Sequence, residues 1–377
     1  MQTSETMQLS DIRRAAGSLK DVRVLLRASL NVPVVEGVVK DDFRISRTMQ
    51  TVEFLRKQGA RVLIAGHIGR DPEASLAPVF SFLKESLPLT FVPDLKTAAM
   101  ELKSSEIVLL ENLRRFPGET ENDSAFAAAL ASLADIYVND AFSDSHREHA
   151  SIVRVPKLIP SYAGISLLQE VEHLAPAFNP PHPSLFVLGG AKFETKAPLI
   201  RKFLDAYDAV FVGGALAHDL FKAKGWNIGK SLSSEMTIAA EDILSHPHLI
   251  LPPDVIVETP DGVRLTKAAQ AVLDDEIIFD AGPKTVEMIL ARARDAKFIL
   301  WNGPLGNYER GYNEQTEKLA AGFADLPAAT VVGGGDTVAA IAALSVTDKY
   351  NFISTGGGAM LEFLQNGTIA GIEALKK

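Results

Sequence analysis

The chain has 377 residues, a formal net charge of -9 and no cysteine. Without thiols there are no disulfides, no thiolate catalysis and no Cys-ligated zinc or iron–sulfur centre, whereas a hard cation such as magnesium held by oxygen stays open; the acidic balance argues against nucleic acid as a partner. Hydrophobic residues make up 47% and charged residues 23%, no apolar run approaches the ~20 residues of a membrane span, and a length beyond the usual limit of one core predicts two domains.

The N-terminal string MQTSETMQLSDIRRAAG lacks the apolar stretch of a signal peptide, so a soluble, cytoplasmic protein with no membrane partner is expected. From residue 22 onward short apolar runs alternate with amphipathic stretches. VRVLL is followed by a helical pattern through Ile45, Met49, Val52 and Leu55, then by ARVLIAGH. SLAPVFSFLKESL precedes TFVPD, EIVLLEN follows, and NDSAFAAALASLA, with Asn122 or Asp123 as its cap, precedes DIYVNDAF. After the helix LLQEVEHLAPAF comes NPPHP, which cannot continue a helix and reads as a linker. A second series then runs through SLFVLGG, DAVFVGG, LILPPDVIVE, EIIFDAGP, KFILWNGP, ATVVGGG and NFISTGGG. Apolar strands with intervening helices predict an α/β protein of two doubly wound parallel-sheet, Rossmann-like domains.

In such sheets ligands lie beyond the carboxyl ends of the strands. There the first half shows Arg27 and Asn31, His67 and Arg70, Arg114 and Arg115, then His146, Arg147 and His149. Guanidinium forks converging from successive strands suit a multiply anionic metabolite. Arg44 sits in the first turn of a helix, where the dipole disfavours a cation, so either an anion or a local pair with Asp41 and Asp42 must compensate.

The second half shows glycines instead: GGAK, GGA, WNGP, GGGDT and TGGGA. Glycine admits phosphate oxygens close to backbone amides, and a helix N-terminus adds aligned donors. Neither a P-loop string nor an opening GxGxxG is present. Asp336 can hold magnesium that bridges nucleotide phosphates, or simply cap a helix starting at Thr337. Lys192 and Lys196, four apart, can share a helical face and direct two charges at a transferring phosphoryl group.

These strings together resemble the phosphoglycerate kinase family from about Asp21 to the final helical tail. The resemblance rests on LNVP, DDFRI, GHIGR, LLENLR, YVNDAF and HREHAS in the first half. In the second it rests on LGGAK, FKAKGWNIGKSL, DAGPKT, WNGPLG, GGGDT and STGGGA. It implies reversible, magnesium-dependent phosphoryl transfer between ATP and the carboxyl of 3-phosphoglycerate, giving ADP and 1,3-bisphosphoglycerate, a step of glycolysis and gluconeogenesis. It implies Ser29, Asn31, Arg44, His67, Arg70, Arg114 and Arg147 at the acceptor, with Arg44 and Lys196 catalytic. On the nucleotide it implies Lys192, Lys196, Gly213, Asn302, Glu309, Gly334, Gly335, Asp336 and Thr337, with Asp336 on the metal.

The expected organisation is an acceptor domain over 1–166, a hinge helix and linker over 167–183, a nucleotide-binding domain over 184–358 and a C-terminal helix and tail over 359–377 that packs back toward the first domain. A monomer with a cleft between its domains and a hinge closure that excludes water is implied. The chain departs from the family pattern where RVDFNVP reads RASLNVP, so Ser29 replaces an aspartate, and where Ser143 and Asp144 stand in place of small residues. The loop after Arg70 is short and the segment after GGAK reads FETK. Two other readings remain: a nucleotide-binding or scaffolding protein without catalysis, and a kinase for a different small carboxylate.

Overall fold

The computed structural model describes residues 9–15, 17–191, 193–234 and 240–376. The chain forms two compact units, one from the residues through Glu172 together with those from Asn366 onward, the other His173–Gln365. Among the described residues no helix is long and apolar enough to cross a membrane.

The first unit contains β1 (Arg23–Arg27), a small antiparallel ribbon of β2 (Val34–Val35) and β3 (Val38–Val39), then β4 (Arg61–Ala65), β5 (Leu89–Val92), β6 (Ile107–Leu110), β7 (Ile136–Asn139) and β8 (Ser161–Ala163). Its main sheet has the order β5-β6-β4-β1-β7-β8 with every pairing parallel. Central strands are buried along nearly their whole length, as in Val24, Leu25, Leu26, Val62, Leu63 and Ile64, which is why their sequences read as unbroken apolar runs. Helix Phe43–Lys57 turns Ile45, Thr48, Val52 and Leu55 inward at helical spacing. Helix Ser124–Ala131 is capped by Asp123, whose carboxylate accepts from the Phe126 amide at 2.7 Å. Asn122 instead takes a left-handed φ of 55° and turns the chain into that cap.

The second unit contains β9 (Ser184–Leu188), β10 (Ala209–Val212), β11 (Leu249–Ile250), β12 (Asp254–Glu258), β13 (Arg264–Ala268), β14 (Ile277–Ala281), β15 (Phe298–Asn302), β16 (Ala329–Gly333) and β17 (Phe352–Ile353). The parallel sheet runs β11-β10-β9-β15-β16-β17. The two wound parallel sheets agree with the sequence reading, but one part of the second series does not. LILPPDVIVE breaks at its prolines, so that β11 stays in the parallel sheet while β12 joins β13 and β14 in a separate antiparallel sheet. The cause is one-sided burial: Val255, Val257 and Ile278 face a small core with Phe221 and Ile228, whereas β13 is largely exposed.

Candidate functional site

In the first unit β1 lies between β4 and β7, with Arg27 in register with Ala65 on one side and Asn139 on the other. The loops after β1, β4 and β7 therefore emerge side by side, and the turn after β6 emerges next to that of β4. Ser29 and Asn31 follow β1, His67 and Arg70 follow β4, Arg114 follows β6 and Arg147 follows β7. A recess of 440 Å³ opens among Arg70, Pro72, Arg114, Thr120, Arg147 and His149.

Backbone and side chains tie this wall together. Arg44 Nη1 donates to the Asn31 carbonyl at 2.7 Å, Asn31 Oδ1 accepts from the Gly69 amide at 2.9 Å, and Arg114 Nη1 donates to the Gly69 carbonyl. Arg44 thus turns to Asn31, while Asp41 and Asp42 accept from the Phe43 amide and the Ser46 hydroxyl. Burial and then the neighbouring Arg147 push Arg114 down, a crowding of like charge that an anion would relieve. Burial, with Arg27, Arg114 and Arg147 acting the same way, pushes His149 down to about 4, so it is neutral near pH 7.

His67 and Arg27 are almost wholly buried at 2% and 0% exposure. Arg27 Nε donates to Ser151 Oγ at 3.0 Å, which in turn donates to Glu119 Oε1 at 2.6 Å. On its other side Arg27 Nη1 lies 3.1 Å from Asp144 Oδ2, and His67 Nδ1 lies 3.4 Å from the same oxygen. Ser29 Oγ is 2.7 Å from Ser143 Oγ, both buried.

In the second unit the strings GGAK, GGA, WNGP, GGGDT and TGGGA stand at the carboxyl ends of β9, β10, β15, β16 and β17, all in the one parallel sheet. Their loops touch backbone to backbone. A Cβ on Gly189 would lie 2.0 Å from the Pro304 carbonyl oxygen, and one on Gly214, whose φ is 58°, would lie 2.8 Å from Gly190 N. The first four of these loops border a recess of 560 Å³, GGGDT through Asp336, and the recess also meets Asp280, Leu305 and Glu309.

The expected nucleotide residues divide into wall and support. Glu309 and Asp336 line the recess, and Gly334, with φ 99°, caps helix Gly335–Ala343 at its edge. That helix begins before Thr337, at Gly335 with Gly334 as its N-cap, so Asp336 lies inside the first turn and is not the capping residue. Burial and then Glu309 push Asp336 up. Lys196, in the first turn of helix Phe193–Ala206, donates from Nζ to the Ala191 carbonyl at 2.8 Å. Asn302 and Thr337 are buried behind the wall, Asn302 accepting from the Gly189 amide through its carbonyl at 2.8 Å. Gly213 donates from its amide to the Leu188 carbonyl at 2.8 Å. Lys192 lies outside the described residues.

Among the described residues no group of three or more His, Cys, Asp or Glu is arranged to hold a metal alone. A single carboxylate on the recess wall, as Asp336 provides, suits magnesium, which keeps several waters and takes other ligands from phosphate oxygens. The donor set fits the ion.

The chain belongs to the phosphoglycerate kinase family. The family profile described as Phosphoglycerate kinase matches residues 14–367. Phosphoglycerate kinase of Moorella thermoacetica is 38% identical over 380 residues, covering 95% of this chain and 97% of that protein, and that of Coprothermobacter proteolyticus is 38% identical over 392 residues, covering 98% and 99%. The solved phosphoglycerate kinase from Coxiella burnetii superposes with a TM-score of 0.82 at 36% identity, and that from Pyrococcus horikoshii OT3 with 0.86 at 28%, each covering 97% of this chain and 98% of the other. Membership favours a kinase over a scaffolding protein.

Asp280 and His218 also line the 560 Å³ recess and escaped the sequence reading. Burial pushes Asp280 up to about 8, and its Oδ2 has no hydrogen-bond partner among the described residues. Its place directly after the apolar run EIIF was an available signal. His218 Nδ1 lies 2.7 Å from the Leu232 carbonyl, which places its proton there, and burial pushes it down to about 4. It stands mid-helix, and nothing in its local sequence sets it apart.

Proposed function

We propose that the chain catalyses reversible, magnesium-dependent transfer of a phosphoryl group between ATP and the carboxyl of 3-phosphoglycerate. The observation that carries this reading is the convergence of Arg70, Arg114 and Arg147 on one recess of the first unit, complementary to a phosphorylated carboxylate. Asn31, Arg44 and His67 complete the acceptor set, with Ser29 at its buried edge. The second unit takes the nucleotide on its glycine loops, with Gly213, Asn302, Gly334, Gly335 and Thr337 shaping the backbone and Glu309 facing the ribose.

An acceptor carboxylate oxygen attacks the γ-phosphorus. A new P–O bond forms as the bond to the bridging oxygen of ADP breaks, the charge on that oxygen leaves with ADP, and no proton is transferred. Little covalent work falls to the protein in such a displacement, so position and charge carry the catalysis. Arg44 and Lys196 are assigned to the transferring group, and Lys192 to the nucleotide phosphates. Asp336 is assigned to magnesium, which when bound neutralises phosphate charge. We assign the enzyme to the cytoplasm as a monomer, with the acceptor domain over 1–166, a hinge over 167–183 and the nucleotide domain over 184–358.

A coupled assay with ATP and 3-phosphoglycerate tests the reading. Turnover that depends on both substrates and on added magnesium is expected. No turnover with 3-phosphoglycerate, or equal turnover with another small carboxylate, would overturn the choice of acceptor.

A further inference from the structure

Asp144 has no role in the assignments above, yet it is the charged partner of the most deeply buried cation in the acceptor unit. It is 4% exposed, ends the short turn after β7, and faces Arg27 from β1 and His67 from the loop after β4. Its backbone carbonyl accepts from the Arg147 amide at 2.9 Å, so the residue also anchors a guanidinium of the recess. Burial opposes the charge on Asp144, but His67 and Arg27 beside it hold the carboxyl well below the usual carboxylate range; because burial also pushes His67 down, the standing positive charge is the Arg27 guanidinium 3.1 Å away. Glu119, the other carboxylate near Arg27, is pushed up by its burial. Glu119 meets Arg27 only through the Ser151 hydroxyl, so the direct ionic contact of Arg27 is with position 144.

His67 Nδ1 has two neighbours with opposite demands. Arg27 Nη2, hydrogen-bonded to it at 3.3 Å, can only donate, whereas Asp144 Oδ2, an ionic rather than a hydrogen-bonded neighbour at 3.4 Å, can only accept. An ionised Asp144 favours a proton on Nδ1; without it Arg27 favours a bare Nδ1. Beside this pair, Ser29 and Ser143 share a hydroxyl contact at 2.7 Å, and Ser143 adjoins Asp144 in the chain. The buried edge of the acceptor site thus holds two neutral hydroxyls and one carboxylate.

Resting on the phosphoglycerate reading, we propose that Asp144 is a positioning residue of the acceptor site, which orients His67 and Arg27 for the anionic hydroxy acid and supplies from the loop after β7 the buried carboxylate that position 29 lacks. Two carboxylates at this edge would exclude one another, because like charges in one buried site cannot both ionise. From the sequence alone, Ser29→Asp is expected to tighten the acceptor. With Asp144 in place the sign reverses.

The test is a charge swap read by steady-state kinetics. Asp144→Asn is expected to raise KM for 3-phosphoglycerate by about tenfold while KM for ATP stays within about twofold, a split that general loss of structure does not give. Ser29→Asp alone is expected to raise the same constant by about tenfold, and Ser29→Asp/Asp144→Ser to return it to within about threefold of the parent, a coupling that independent sites lack. An unchanged constant in Asp144→Asn, a lowered one in Ser29→Asp, or a double variant whose fold-change equals the product of those of Ser29→Asp and Asp144→Ser measured singly overturns the proposal. Where Asp144→Asn is too unstable for kinetics, recovery of folding and activity in the double variant supports it, and equal instability of the double overturns it. A parent enzyme inert with 3-phosphoglycerate would sink the functional reading itself, a result distinct from all of these.

Discussion

The Gly371 amide donates to the Ser145 carbonyl at 2.7 Å, so the C-terminal tail is hydrogen-bonded to the residue beside Asp144. A Cβ at Gly371 would come within 2.7 Å of the Ser145 side chain and 3.0 Å of Ile152. Gly371→Leu is expected to destabilise the first unit by about 2 kcal/mol, lowering Tm by roughly 4 to 8 °C. An unchanged thermal transition would mean that the tail can move aside without cost.

Lys196 anchors its ammonium on the Ala191 carbonyl, at the edge of the glycine loops. A charge directed at a transferring group matters most in the transition state, where ~1.4 kcal/mol is already tenfold. Lys196→Ala is expected to lower kcat at least about tenfold with ATP affinity little changed. A change confined to KM for ATP would assign Lys196 to ground-state binding instead.

Asp336 lies in the first turn of its helix rather than at the N-cap, which is Gly334, so Asp336→Asn should leave thermal stability nearly unchanged. Loss of a hard anionic ligand is expected to weaken the magnesium nucleotide by about tenfold and metal-free nucleotide much less. Titration calorimetry with and without magnesium separates the two. Equal weakening would remove Asp336 from the metal.

Asp140 and His149 set opposite pH dependences. Asp140 accepts from the Ser166 amide at 2.8 Å, yet burial pushes it up to about 8. Its unfolded counterpart gives up its proton near ~3.9, so between these values the folded chain binds more protons and stability falls as pH rises. Burial pushes His149 down to about 4. From ~6.5 down to that value the unfolded chain binds more protons, so the stability His149 contributes is lost as pH falls. Denaturant unfolding across about pH 4 to 9 should show Asp140→Asn flattening the loss as pH rises to about 8 and His149→Gln the loss as pH falls below ~6.5. Curves parallel to that of the parent would show that neither group is perturbed.

The local sequence was sufficient for the two wound sheets, because a strand buried on both faces must be an unbroken apolar run, as SLFVL and FILWN are. It also placed the arginines and glycines at strand ends, since the residue after such a run is where the chain leaves the sheet. The partners of those residues were not legible. That Arg44 meets Asn31, that Asp144 stands against Arg27 and His67, and that β12 leaves the parallel series all depend on which strands lie side by side. Strand order is a long-range packing outcome: the order β4-β1-β7 joins loops more than 70 residues apart, such as those of His67 and Asp144 (144 − 67 = 77). The charge of Asp144 is legible in the sequence. Its burial beside a fully buried arginine, which gives that charge its consequence, exists only once the sheet has formed.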